Sequence, residues 1–125
     1  MIHKQFIDGV EQEIELESGS LPSLEALIPK IIQWAEDRNL VEGSTPKTQM
    51  VKLMEEMGEL AAAINRDDLG EAEDAIGDMF VVLLIILKQL NLEPAKAAKC
   101  AYDQIKHRKG RMVDGIFVKE DDLPQ

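Results

Sequence analysis

Apolar residues recur every three or four positions along most of the chain, which predicts amphipathic helices. The first predicted helix begins at Leu24, with Ser23 as its N-cap. The second begins at Pro46, after Thr45 as N-cap, and ends at about Arg66. Its apolar positions, which we expect to face inward, are Val51, Met54, Met57, Leu60, Ala61 and Ile64.

A short polar turn leads to a third helix over about residues 71–90, which is apolar on all sides after Asp78. This composition predicts a central helix that neighbours surround. A fourth helix is predicted from Glu93–Pro94 to Lys109–Gly110, because glycine commonly follows the last helical residue. Asp114–Gly115, between apolar pairs, then predicts a short β-hairpin.

The first 22 residues give a weaker pattern than the rest of the chain. Asp8–Gly9 is a turn signal and residues 13–17 alternate in polarity, but no complete element follows from them. We therefore treat 1–22 as an N-terminal arm of uncertain structure and 23–125 as a single helical domain. The predicted fold is all-α, of the four-helix bundle type, with a short C-terminal β-hairpin.

Composition excludes several classes of protein. With 45% hydrophobic and 30% charged residues, the 125-residue chain is typical of one globular domain. The net charge of −10 argues against a stable nucleic-acid complex. The longest apolar run, residues 79–87, is too short for a membrane helix. The single cysteine cannot form an intramolecular disulfide, so we expect a cytoplasmic protein.

Acidic residues form one stripe on the second helix and one on the third. Since a short turn joins these helices, they should pack antiparallel and bring the stripes to one level. Burying an unpaired carboxylate costs several kcal/mol, so about that much must be offset, and a bound cation can do so. Oxygen ligands without Cys or His favour Mg²⁺, with Mn²⁺ as a substitute. The residues are Glu55, Glu56 and Glu59, then Glu71, Asp74 and Asp78.

Two other interpretations compete with a Mg²⁺ or Mn²⁺ site. Acidic helical stripes are commonly solvated faces, in which case the protein is a non-enzymatic acidic helical module for dimerisation and protein interaction. A ferritin-like di-iron bundle needs Glu-x-x-His pairs, and neither His3 nor His107 follows a glutamate by three positions. The serious alternative is therefore the interaction module, which predicts neither metal binding nor turnover.

The two acidic segments carry a family resemblance. Glu55-Glu-Met-Gly-Glu59, a short turn and then Asp74-Ala-Ile-Gly-Asp78 resembles the MazG-type all-α nucleoside triphosphate pyrophosphohydrolases, whose motif is E-E-x-x-E, a spacer and E-x-x-D. The similarity covers about residues 24–117. It implies Mg²⁺-dependent hydrolysis of nucleoside or deoxynucleoside triphosphates to monophosphate and pyrophosphate. It also implies a homodimer or a dimer of dimers.

The resemblance assigns metal ligands residue by residue. Glu56, Glu59 and Asp78 match family ligands, but Ala75 stands where the family has a glutamate. Asp74, one position earlier, lies on the same stripe and is the expected substitute.

Other residues are candidates for the reaction itself. Glu55 is the spare carboxylate expected to orient or deprotonate the attacking water. Trp34 is the expected platform for the base, as related enzymes use an aromatic residue on this helix. Lys52, one turn before Glu56, is a weaker candidate for contacting phosphate. A basic run expected to stabilise the leaving pyrophosphate contains Lys106, Arg108, Lys109 and Arg111.

Overall fold

Four helices and two short antiparallel hairpins make up the protein in the computed structural model, which describes residues 2–7, 10–15 and 20–124. This confirms the predicted helical fold with its C-terminal hairpin. The chain divides into two units, Met1–Asn91 and Leu92–Gln125, which are described in turn. The elements are β1 (Ile2–Ile7), β2 (Val10–Glu15), α1 (Leu24–Asp37), α2 (Pro46–Asn65), α3 (Leu69–Gln89), α4 (Pro94–Ile105), β3 (Gly110–Val113), β4 (Ile116–Lys119) and a 3₁₀ turn (Glu120–Asp122).

Side-chain caps fix the beginnings of the first three helices. The Ser23 hydroxyl accepts the Ala26 N–H at 3.0 Å, and the Thr45 hydroxyl accepts the Thr48 N–H at 3.1 Å, as predicted. α3 begins at Leu69 and not at about Glu71, because the Asp68 carboxylate caps it by accepting the Glu71 N–H at 3.1 Å. Only three residues separate α2 from α3, so the two helices run antiparallel.

α3 packs against both α2 and α1 in the first unit. At the C-terminal end of α3, Gln89 Nε2 donates to the carbonyls of Leu40 at 3.5 Å and Val41 at 3.2 Å. Lys88 Nζ lies 3.7 Å from a Glu36 carboxylate oxygen on α1. These contacts hold the α1–α2 connector against α3. The buried apolar residues are Ala35, Leu53, Ala63, Ala75, Val82, Leu84 and Ile85.

The predicted inner face of α2 is wrong. The buried positions of α2 are Gln49, Leu53, Glu56 and Ala63, a different side of the helix. Periodicity identified an apolar stripe correctly, but that stripe is exposed within one chain. α3 also exposes large apolar side chains, so it is not surrounded on all sides. The exposed stripes are Met50, Val51, Met54, Met57 and Ile64 on α2, and Leu69, Ile76, Phe80 and Leu83 on α3 with Leu90 at its C-cap.

The second unit differs from prediction at the end of α4. The helix ends at Ile105 with Lys106 as C-cap, so it stops before Lys109. Gly110 instead begins β3 and pairs with Lys119 in β4. A Cβ at Gly110 would collide with the Val118 carbonyl, so the close approach of the strands requires glycine there.

The C-terminal hairpin turns at Asp114–Gly115, as predicted. Both residues are left-handed, with φ of 50° and 80°, which suits a two-residue hairpin turn. β1 and β2 form a second antiparallel hairpin, which the sequence pattern did not establish; the predicted Asp8–Gly9 turn lies outside the described residues. No single helix of the described part of the chain is long and apolar enough to cross a membrane.

Candidate metal centre

Three carboxylates converge between α2 and α3: Glu56, Glu59 and Asp78. Each can offer one oxygen such that these oxygens all lie within 4.8 Å of one another. The three-residue spacing places Glu56 and Glu59 on one side of α2, and the tight α2–α3 turn brings Asp78 to their level. For these three residues, the two acidic stripes therefore meet as predicted.

Glu56 is the unusual member of this cluster, because only 3% of its surface is exposed. Its Oε1 lies 3.2 Å from Lys52 Nζ, whereas its buried Oε2 has no hydrogen-bond partner. Leaving a buried charged oxygen without a partner is costly. An all-oxygen donor set with one unsatisfied buried oxygen fits a hard divalent cation such as Mg²⁺ or Mn²⁺.

The electrostatics of the cluster agree with this fit. Burial raises the pKa of Asp78 from 3.8 to about 6, helped by the negative charges of Glu56, Asp74 and Glu59. The pKa of Glu59 is also raised, first because a proton can be shared in a hydrogen bond with Glu56, then because Glu56 is negatively charged. Hydrogen bonding to Glu56 raises the pKa of Lys52. Without a cation, Asp78 and Glu59 therefore lose their protons less readily than ordinary carboxylic acids do.

Two predicted site residues on these helices lie outside the group of three. Asp74 is not a member, although its charge contributes to the raised pKa of Asp78. Glu55 is mostly exposed, and its Oε2 lies 3.7 Å from Lys52 Nζ. Ala75, at the position of the family glutamate, is buried at 2% exposure. The ligand roles of these side chains, and the catalytic role of Glu55, remain predictions.

Trp34 lies in the last turns of α1 and is half-buried. The Arg38 guanidinium carbon stands 4.5 Å from the Trp34 ring centroid, and Arg38 Nη1 donates to the Trp34 carbonyl at 3.3 Å. Together with Lys30 and Asp37 they line a shallow, open groove. Sequence reasoning missed Arg38, although its four-residue spacing from Trp34 at a helix end is the signal that could have found it.

The basic residues predicted to contact phosphate belong to the second unit. Lys106 is engaged locally, since its Nζ pairs with Asp103 at 3.0 Å and lies 6.0 Å from the Tyr102 ring centroid. Arg108 and Lys109 follow the helix and line a small surface groove, whereas Arg111 is in β3. These four basic residues therefore do not lie together on one helix, and their role in substrate binding remains a prediction.

Comparison with known families decides the classification. Residues 44–112 match the model of the MazG nucleotide pyrophosphohydrolase domain, a segment that covers more than half of the chain and contains all three clustered carboxylates. The chain belongs to the MazG family. It therefore carries a domain of a metal-dependent nucleotide pyrophosphohydrolase family. The carboxylates that meet in the structure are Glu56, Glu59 and Asp78, the three that the sequence resemblance matched to the motif of the family.

A phage protein is also similar to this MazG chain. The chain is 49% identical over 73 residues to an uncharacterized 18.2 kDa protein in the rep-hol intergenic region of Haemophilus phage HP1 (strain HP1c1). The aligned segment covers 58% of this chain and 45% of the phage protein, so the match spans less than half of that relative. No solved structure matches the chain.

Proposed function

We propose that this MazG protein hydrolyses nucleoside or deoxynucleoside triphosphates to the monophosphate and pyrophosphate, with Mg²⁺ as cofactor and Mn²⁺ as a substitute. The observation that carries the proposal is the buried, unpartnered Oε2 of Glu56 within a cluster of three carboxylates. Such an arrangement is unfavourable for a purely structural helix pair and is useful for holding a cation near phosphate oxygens.

Glu56, Glu59 and Asp78 would hold the metal, and Asp74, whose charge acts on Asp78, is the proposed further ligand on α3. When bound, a divalent ion supplies charge neutralisation for the phosphates and lowers the pKa of a coordinated water. Glu55 is adjacent in sequence to the buried ligand yet reaches solvent, so its carboxylate is suited to take a proton from the attacking water. Attack at the α phosphorus then releases pyrophosphate.

Substrate recognition is assigned to an aromatic residue and to basic side chains. The Trp34 ring provides a flat surface for a nucleobase, and Arg38 already occupies one side of it. Arg and Lys side chains stabilise negative charge that develops on a leaving pyrophosphate. The candidates for that role are Lys106, Arg108, Lys109 and Arg111.

The active form is proposed to be a homodimer or a dimer of dimers. At 100° per residue, the exposed apolar positions fall within an arc of about 80° on α3 and about 140° on α2. Apolar stripes of this kind are typical of helices that pack against another copy of the same chain. The single cysteine is free, which suits a reducing compartment such as the cytoplasm.

The test is product analysis. Purified protein is incubated with a panel of ribo- and deoxyribonucleoside triphosphates and Mg²⁺, and the products are separated by ion-exchange chromatography. We expect monophosphate and pyrophosphate, a loss of at least about 100-fold for Glu56→Gln, and unchanged turnover for Glu73→Gln, which lies on α3 outside the cluster. Diphosphate and orthophosphate as products would contradict the proposal, and so would full activity of Glu56→Gln.

The exposed apolar stripes favour one alternative, a non-enzymatic helical interaction module. It predicts that Mg²⁺ leaves thermal unfolding unchanged and that Asp78→Asn has no effect on function. The proposed enzyme instead gains stability from Mg²⁺, because a ligand that binds only the folded state stabilises it by mass action.

A further inference from the structure

The Lys52 side chain brings a positive charge to the edge of the carboxylate cluster. Its Nζ lies 3.2 Å from Glu56 Oε1 and 3.7 Å from Glu55 Oε2, so one ammonium group spans two carboxylates. In the described part of the chain, no other basic side chain lies within ion-pair distance of Glu56. The two oxygens of Glu56 are thereby distinguished: Oε1 is paired, and Oε2 is free.

An ordinary surface ion pair does not account for this arrangement. Exposed pairs four residues apart on a helix have both side chains in water and contribute little. Here the Lys52 side chain is 54% exposed, but the Glu56 side chain is only 4% exposed. Lys52 therefore neutralises a carboxylate that water does not reach, while its own stem remains at the surface.

The charge balance of the cluster indicates how many divalent ions it takes. One divalent ion and the Lys52 ammonium together balance the three clustered carboxylates of Glu56, Glu59 and Asp78, while the exposed carboxylates of Glu55 and Asp74 outside the cluster are left to solvent. At the buried position 75, an alanine supplies no further carboxylate beside them. A second divalent ion would leave the cluster with excess positive charge and would have to displace Lys52 from Glu56 Oε1.

The geometry points to Lys52 as a built-in counter-cation that takes the place of a second divalent ion, so that each chain binds one metal ion through Glu56 Oε2, Glu59 and Asp78. Lys52 is thus a positioning residue: by holding Oε1, it leaves Oε2 for the metal. This inference rests on the proposed function, because it assumes that the cluster is a metal centre.

The test counts bound Mn²⁺ in the absence of nucleotide. Electron paramagnetic resonance of free Mn²⁺ is measured during titration of the wild type and of Lys52→Met, Lys52→Arg and Lys47→Met. Lys47 is an exposed lysine in the first turn of the same helix, so Lys47→Met makes the same charge change away from the cluster. Circular dichroism confirms that each variant is folded.

We expect one Mn²⁺ per chain for the wild type, Lys52→Arg and Lys47→Met. Lys52→Met should bind two, because Glu56 Oε1 and Glu55 Oε2 become available to a second ion. Two ions in the wild type, or one in a folded Lys52→Met, would overturn the inference. If Lys52→Met does not fold, the count for the wild type still decides between one ion and two.

The result also separates this inference from the proposed function. No Mn²⁺ bound to the wild type would remove the metal centre and both proposals with it. One ion bound without hydrolysis of any triphosphate would remove the proposed function and leave the ion count standing. Two ions bound to the wild type, together with hydrolysis, would overturn the ion count and the role of Lys52 and would leave the proposed function standing.

Discussion

Replacing Glu56 with glutamine should make the metal-free protein more stable and the metal-loaded protein relatively less stable. The substitution keeps the shape of a side chain that is 3% exposed and removes its charge. The new amide can donate to the neighbouring carboxylates of Glu59 and Asp78, whose oxygens lie within 4.8 Å of a Glu56 oxygen. Repulsion between three clustered negative charges is thereby replaced by hydrogen bonds.

The magnitude follows from two opposing effects. Glu56→Gln loses the ion pair with Lys52, but Lys52 is half-exposed and is rehydrated. Removing the buried charge relieves the desolvation cost of the unpartnered Oε2, and the lost ion pair with a half-exposed lysine offsets only part of that gain, so we expect a net gain of about 1 kcal/mol in metal-free buffer. That gain corresponds to an increase in Tm of about 4 °C for a domain of this size.

Saturating Mg²⁺ should reverse the order. At a concentration of about 100 times Kd, a bound ion stabilises the wild type by about 2.7 kcal/mol, whereas the variant has lost the ligand and gains little. The curves of Tm against Mg²⁺ concentration for the two proteins are therefore expected to cross.

Thermal unfolding by circular dichroism, in EDTA and across a Mg²⁺ series at one protein concentration, tests this expectation. Glu73→Gln is the control, since it removes a charge from α3 outside the cluster and should keep the full response to Mg²⁺. If Glu56→Gln is the less stable protein in EDTA, the carboxylate is needed for the fold itself. Equal stabilisation of both proteins by Mg²⁺ would show that the ion binds elsewhere.

Three further predictions concern pH, assembly and recognition. Between pH 3.8 and about 6 the native state retains a proton on Asp78 that the unfolded chain has released, so metal-free stability should fall as pH rises through this window, by about 1 kcal/mol after allowing for solvent. Unfolding curves measured by circular dichroism should show a shallower slope for Asp78→Asn, which leaves the contribution of Glu59, whose pKa is also raised. Met57→Glu should shift sedimentation velocity toward the monomer, whereas Leu21→Glu, at an exposed position before α1, should not; a monomeric wild type would refute the assembly. A bound nucleotide should quench Trp34 fluorescence and displace Arg38 from the ring, and an unchanged spectrum at saturation would remove the stacking role.

The N-cap residues predicted the beginnings of α1 and α2 correctly, because an N-cap is a contact between residues only three positions apart in the chain. Ser23 and Thr45 both accept the expected backbone N–H groups. The predicted end of α4 was wrong, because a glycine can follow a helix or can allow two strands to approach closely. The glycine at 110 was predicted to follow a helix, but it lies where β3 approaches the Val118 carbonyl of β4, a contact that depends on how the hairpin pairs and not on the helix before it.

Hydrophobic periodicity could not assign the inner face of α2. The helix carries an apolar stripe through Met54 and Met57, and sequence alone favours burying it. Within one chain, α2 instead packs against α3 with the side that contains Leu53, Ala63 and Glu56. A pattern shows that a surface avoids water, and it does not show whether the same chain or a second copy covers it.

The candidate site was predictable where it depended on helix geometry alone. Three- and four-residue spacings and a short turn were enough to expect Glu56, Glu59 and Asp78 at one level. The paired state of Lys52 and the stacking of Arg38 on Trp34 depend on side-chain conformation, which spacing does not fix. The alanine at position 75 could be read from the sequence, but its burial required the structure.

The position of Glu56 within the buried side of α2 links the fold to the proposed chemistry. The buried apolar side chains of the described residues are few, and a leucine at position 56 would add to the buried apolar surface that Leu53 provides on α2. A carboxylate there lowers the stability of the free protein, since only one of its oxygens is paired. A cation that binds the second oxygen recovers this loss. The same buried group therefore makes the free chain less stable and supplies part of the affinity for the metal, which is why stability and metal binding should change in opposite directions in Glu56→Gln.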